Sequence, residues 1–218
     1  MRIRGPRVRS LHTVWPSEAV ISPGREIQIF GVSITGDGTT VMKSLTLTVS
    51  DLSTATGLTN ADFDEFRLYE SADSTLDASD TQVGHLDASD MAIDRPFTIE
   101  ANLAITPGAG ETRHYIVSAQ IEADAPEQHA FRVGFDTGGL SMTRGGRGSK
   151  VRALDTNKVT IDIVATLLVF TKQPANSISG NPLLIQPVVT ALDDSGLVDT
   201  DFSDVITITH SSTGSLIN

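Results

Sequence analysis

Ser44-Leu45-Thr46-Leu47-Thr48-Val49-Ser50 decides the fold class. In an extended chain Leu45, Leu47 and Val49 fall on one side and the hydroxyls on the other, which is the signature of a strand half in a core and half in water. The same period of two recurs at Tyr115, Val117, Ala119 and Ile121, at Phe131, Val133 and Phe135, and at Val159, Ile161 and Ile163. Further apolar runs lie at Ile27 to Ile34, Phe66 to Tyr69, Phe97 to Ile105, Leu167 to Phe170, Leu183 to Leu192 and Val205 to Thr209. About ten or eleven strands are expected on this patterning. No long stretch repeats at 3.6 residues; one helical turn is predicted near Thr59 to Asp64, capped by Thr59 or Asn60.

Turn chemistry separates the runs at Pro23-Gly24, Gly36-Asp37-Gly38, Thr106-Pro107-Gly108, Thr137-Gly138-Gly139 and Ser179-Gly180-Asn181-Pro182. The predicted fold is therefore all-β: an antiparallel Ig-like β-sandwich followed by a second, incomplete Ig-like sandwich. The expected divisions are an N-terminal arm over 1–14, a sandwich over 15–165 and a partial Ig-like domain over 166–218. A usual sandwich of this type has about seven strands in roughly 100 residues. The last segment offers about half of that, and an unfinished sandwich exposes edges and an apolar face.

Composition narrows the function. A net charge of -11 argues against nucleic acid, whose phosphates call for a basic surface. With no cysteine, thiol catalysis and cysteine-bound metals are excluded. Aromatics are 5% of the chain, so the cores are expected to rest on Val, Ile and Leu. The longest apolar runs are far short of the roughly 20 residues of a spanning helix. The basic start Met1 to Arg9 is not followed by the apolar region of a signal peptide.

Two clusters of acid stand out. Asp62 to Asp94 carries ten carboxylates against the single base Arg67. Asp73, Asp77 and Asp80 are the best candidate ligands there for Ca²⁺, which takes six to eight oxygens. The spacing is not that of an EF-hand, and the same residues also serve as turn caps. Asp193, Asp194, Asp199, Asp201 and Asp204 form the second set, with Asp-Asp-Ser-Gly also an ordinary hairpin turn.

Two basic stretches oppose them: Arg2, Arg4, Arg7 and Arg9, and Arg144, Arg147, Lys150 and Arg152 in a Gly-rich loop. They are candidate interface residues, able to meet the acidic stretches of a neighbouring copy. None of the five histidines has metal-ligand spacing, and no Gly-x-Ser-x-Gly elbow is present. The chain is therefore expected not to be an enzyme. Carbohydrate binding stays open as an alternative, with Trp15, Tyr69 and Tyr115 as the candidate aromatic platforms besides the phenylalanines.

Val169-Phe170-Thr171-Lys172-Gln173-Pro174, Pro187 to Gly196, Asp199 to Asp204 and Val205-Ile206-Thr207-Ile208 resemble the start of an extracellular Ig-like surface repeat of bacterial or archaeal type. Leu45 to Ser50, Phe66 to Tyr69, Asp77 to Gly84 and Tyr115-Ile116-Val117 resemble the sandwich domain that accompanies such repeats. The resemblance implies a multidomain structural protein or adhesin at the cell surface or outside the cell, while the unfinished sandwich and the arm's own apolar residues, Ile3, Val8, Leu11 and Val14, point to assembly into a filament or layer by strand addition. The partners so implied are further copies or further domains of the same chain. The alternative is a carbohydrate- or Ca²⁺-binding module of a larger secreted adhesin or enzyme.

Overall fold

In a computed structural model, the residues described are 7–10, 19–54, 57–102, 106–143, 154–155, 157–175, 178 and 180–209. The chain divides into two units, Met1–Asp162 and Ile163–Asn218. Its strands are β1 (Arg7–Ser10), β2 (Ala19–Ile21), β3 (Glu26–Thr35), β4 (Met42–Asp51), β5 (Phe63–Ser71), β6 (Thr81–Asp87), β7 (Pro96–Glu100), β8 (Thr112–Ile121), β9 (Ala130–Met142), β10 (Leu154–Asp155), β11 (Val159–Ile161), β12 (Leu167–Lys172) and β13 (Val188–Leu192). Two single 3-10 turns, Asn60–Asp62 and Ala88–Asp90, are the helical elements among the described residues.

The first unit is a sandwich of two sheets. One runs β1-β3-β8-β5-β6; the other runs β2-β11-β9-β4-β7, with β10 also beside β9. All pairings are antiparallel except β2 with β11, which are parallel. The alternation read from Leu45, Leu47 and Val49 holds, since all three are buried in the core between the sheets.

Val, Ile and Leu make up most of that core, as composition led one to expect, but phenylalanine rings tie its two layers together. Phe30, Phe63, Phe66, Phe97, Phe131 and Phe135 are all buried, and pairs of them join the sheets. Phe30 of β3 stacks on Phe135 of β9 at 5.1 Å, Phe63 of β5 meets Phe131 of β9 edge-on at 5.1 Å, and Phe66 of β5 lies 4.9 Å from Phe97 of β7. A small aromatic fraction suffices because large rings are concentrated where the two layers face each other.

Local sequence explains the irregularities. The register of β3 against β8 slips between Gln28 and Phe30, and Ile29 and Phe30 are both buried in the core as a result. Thr137-Gly138-Gly139, predicted as a turn, lies inside β9, where the pairing with β4 jumps from Leu45↔Leu140 to Leu47↔Phe135. The extra residues leave the ladder without ending the strand. Asp37 makes the turn after β3 by accepting from the N–H groups of Thr39 and Thr40, and these bonds lower its carboxyl from 3.8 to about 2.

The segment after β5, where the sequence showed only clustered acids and turn caps, contains β6. Its only buried residues are Val83 and Gly84, so it shows little alternation. Gly84 is required by close approach: a Cβ there would stand 2.0 Å from the Glu100 carbonyl oxygen of β7. Gly84→Ala is expected to cost about 2 kcal/mol, because the backbone cannot move aside freely in a packed edge. Thermal unfolding of this variant against Gly138→Ala, whose Cβ would meet nothing within 4 Å, checks the difference.

Candidate assembly interface

The second unit is where apolar side chains fail to find a core. β12 and β13 pair antiparallel, with Leu168↔Ala191, Val169↔Thr190 and Phe170↔Val189 opposite each other. Every residue of β12 is exposed. Of the fourteen exposed large hydrophobic residues among the described residues, thirteen lie in this unit and Val20 is the exception. Among the described residues of this unit, only Ile163 and Ala191 are buried hydrophobic residues. Leu184 is 85% exposed and Val205 95%.

The acidic set of this unit shapes its turns. Asp193 Oδ1 accepts from the N–H groups of Ser195 and Leu197, both at 2.9 Å, while Gly196 takes φ +84°, a region open to glycine. The hairpin turn read at Asp193 to Gly196 is therefore formed. The chain then returns beside β13, with Val198 bridged to Leu192 and the Asp199 N–H donating to the Ala191 carbonyl at 3.1 Å. Asp199 Oδ2 accepts from the Ala165 N–H at 2.9 Å, and Asp194 Oδ1 accepts from the Thr166 hydroxyl.

The return covers part of the outer edge of β13. The outer edge of β12 carries no strand among the described residues. Val205 to Thr209, predicted as a strand, is exposed and belongs to no strand.

The other predicted site residues are distributed as follows. Asp73, Asp77 and Asp80 each serve the local loop. Asp73 Oδ1 accepts from the Thr75 N–H, Asp77 Oδ1 from both the hydroxyl and N–H of Ser79, and Asp80 Oδ2 from the Asp77 N–H. The Ser79 hydroxyl, followed by its N–H, lowers the Asp77 carboxyl below its usual value. Among the described residues of the first unit, carboxylates do not gather into a cluster of three.

Arg2, Arg4, Arg144, Arg147, Lys150, Arg152 and Trp15 lie outside the described residues. Arg7 and Arg9 belong to β1, which pairs with β3 of the same chain. The arm expected over 1–14 is thus in part an edge strand.

The two tyrosines differ. Tyr115 is fully buried, so it is a core residue and not a platform; burial, together with the neighbouring Glu70 carboxylate, pushes its phenol well above the ordinary range. Tyr69 is half-buried, and its hydroxyl donates to Glu26 Oε1 at 3.0 Å. Glu26 also meets Arg67 at 3.1 Å and accepts from the Ser118 hydroxyl. Arg67 is held further by Glu65 at 2.6 Å. His114 of β8 has Nδ1 2.9 Å from the Ser33 hydroxyl on β3.

Sequence reasoning missed one buried pair. His129 Nδ1 lies 3.0 Å from Asp62 Oδ2, and both side chains are buried. The same Asp62 oxygen accepts from the Thr59 N–H at 2.7 Å. The pair joins the turn before β5 to the chain just before β9, and thus one sheet to the other.

No protein-family profile matches the chain, and no curated protein sequence matches it. Among solved structures, it is similar to a family 123 glycoside hydrolase from Clostridium perfringens, studied for glycolipid glycan hydrolysis, at 10% identity and a TM-score of 0.32. That match covers 67% of this chain but 22% of the hydrolase, so the chain spans under a quarter of that protein's length. It is also similar to AvmM, which catalyses macrocyclisation in alchivemycin A biosynthesis, at 13% identity and a TM-score of 0.33, over 70% of this chain and 89% of AvmM. Both neighbours are enzymes, and the expectation that this chain is not one is accordingly corrected. Likenesses this distant assign neither chemistry to it.

Proposed function

We propose that the protein is a structural component of a cell-surface or extracellular assembly, and that it assembles through its second unit. One observation carries this reading: among the described residues, thirteen of the fourteen exposed large hydrophobic residues lie in that unit, whose two-stranded sheet has no further described strand on the β12 edge. Large apolar side chains exposed in such concentration mark surfaces to which something binds. A sheet edge with unpaired N–H and C=O groups binds most readily by adding a strand, because main-chain bonds form while alternate side chains are buried. Placement outside the cell rests on the resemblance of residues 167–218 to surface repeats. Head-to-tail strand addition would build a filament, and a closed reciprocal contact would build a dimer or the node of a layer.

Light scattering on the full chain over a wide range of concentration tests the reading. The average mass is expected to rise with concentration, and Phe170→Asp, a change at an exposed position, is expected to hold the protein monomeric. A wild-type monomer at every concentration would overturn it.

A further inference from the structure

Resting on that reading, we infer that the acceptor is the open edge of β12 and that its occupant is the Asp204–Thr209 stretch of a second copy of this chain. The occupant has the sequence Asp-Val-Ile-Thr-Ile-Thr, which is β-branched at every position after the aspartate. Such residues favour the pleated sheet. It is the same length as β12, it is exposed, and it belongs to no strand among the described residues.

Charge selects the direction. Lys172, at the C-terminal end of β12, is the only Lys or Arg in residues 163–218. Asp204 begins the incoming stretch. An antiparallel alignment places these two opposite charges at the same end of the pair. A parallel one leaves Asp204 beside Leu167 and Lys172 without a carboxylate.

Side-chain alternation supports the same alignment. With Asp204 at Lys172, Ile206 falls opposite Phe170 and Ile208 opposite Leu168. Those β12 residues share a face with Val189 and Ala191, their partners on β13. Ala191 is the one buried residue of the two-stranded sheet, so this is its inward side. Thr207 and Thr209 then join the other face, where the Thr171 and Thr190 hydroxyls already lie 2.9 Å apart. This register brings the charge pair together and sets Ile206 and Ile208 on the inward side, with Val205 beside Thr171 on the other, and a slip by one residue would invert both faces.

Two other donors fit less well. The basic N-terminal stretch has Arg7–Ser10 already paired to β3. A β12–β12 contact would bring two identical Lys172 side chains and two acidic units together.

The chain lacks cysteine, so disulfide trapping has no background. Phe170→Cys and Ile206→Cys are made in separate full-length chains, one carrying a size tag, and mixed before mild oxidation. The mixed 170–206 disulfide is expected to dominate over either like-with-like product. Lys172→Glu and Asp204→Lys are each expected to weaken association roughly fivefold, and their combination to restore it to within about twofold, in line with cross-strand charge pairs. Like-with-like crosslinks, or additive charge reversals in a protein that still associates, would overturn this pairing while leaving assembly through the second unit intact. A double-cysteine chain that closes its disulfide within a monomer would also overturn it. Absence of any association would remove both readings.

Discussion

Phe66→Ala lowers the unfolding free energy of the first unit by about 4 kcal/mol. Phe66 is fully buried, and its ring lies 5.2 Å from Phe63 and 4.9 Å from Phe97. The substitution therefore removes apolar area from water exclusion and also opens a cavity between a strand of one sheet and a strand of the other. Neighbours held in two separate ladders cannot collapse freely into the space, which places the cost toward the upper part of the usual range. Chemical denaturation followed by circular dichroism measures the loss. Phe170→Ala in the second unit, compared at a concentration too low for association, is the matched control: that ring is exposed in the single chain, and its truncation is expected to leave stability nearly unchanged. Equal losses in the two variants would mean that the seam of phenylalanines is not what joins the sheets.

Asp62→Ala is expected to cost about 3 kcal/mol, because it removes one partner of a buried pair. Two bonds disappear with the carboxylate, one from the Thr59 N–H and one shared with His129 Nδ1. The imidazole stays behind in a buried position, deprived of its carboxylate. Asp62→Asn retains an acceptor of similar shape, so its loss should be clearly smaller. His129→Ala combined with Asp62→Ala should cost less than the sum of the single changes, since each single change already breaks the shared contact. A double-mutant cycle in urea reads the coupling, and an additive cycle would show that the two side chains do not act as a pair.

Much of the fold was legible because a sheet with one wet face writes its geometry into the sequence. Leu45, Leu47 and Val49 declared both a strand and its inward side. Thr59 announced the short turn that follows at Asn60–Asp62. β6 was hidden because an edge strand with two buried residues, one of them glycine, has almost no pattern to display. Gly138 and Gly139 suggested a break in β9, yet the glycines accommodate a slip in register inside a continuing strand. The Asp62–His129 pair left no local trace: the partners are 67 positions apart, and neither sits in a pattern that requires the other. The Phe seam escaped for a related reason, since composition counts rings but does not say where they meet. At the candidate interface, Leu167-Leu168-Val169-Phe170 reads as an apolar strand, and the short run of strands after it was the signal that its side chains would stay uncovered, as all of β12 is.

The parallel pairing of β2 and β11 has a mechanical consequence. Ala19 lies opposite Val159, and Ile21 lies opposite Ile161. Tension applied from the N-terminal side of β2 and the C-terminal side of β11 pulls the two strands past each other along their length. Their cross-strand bonds are then loaded together in shear instead of being opened one after another like a zipper. A polypeptide subject to traction would find in this arrangement a clasp that resists pulling along its own chain better than its three-residue strands would suggest.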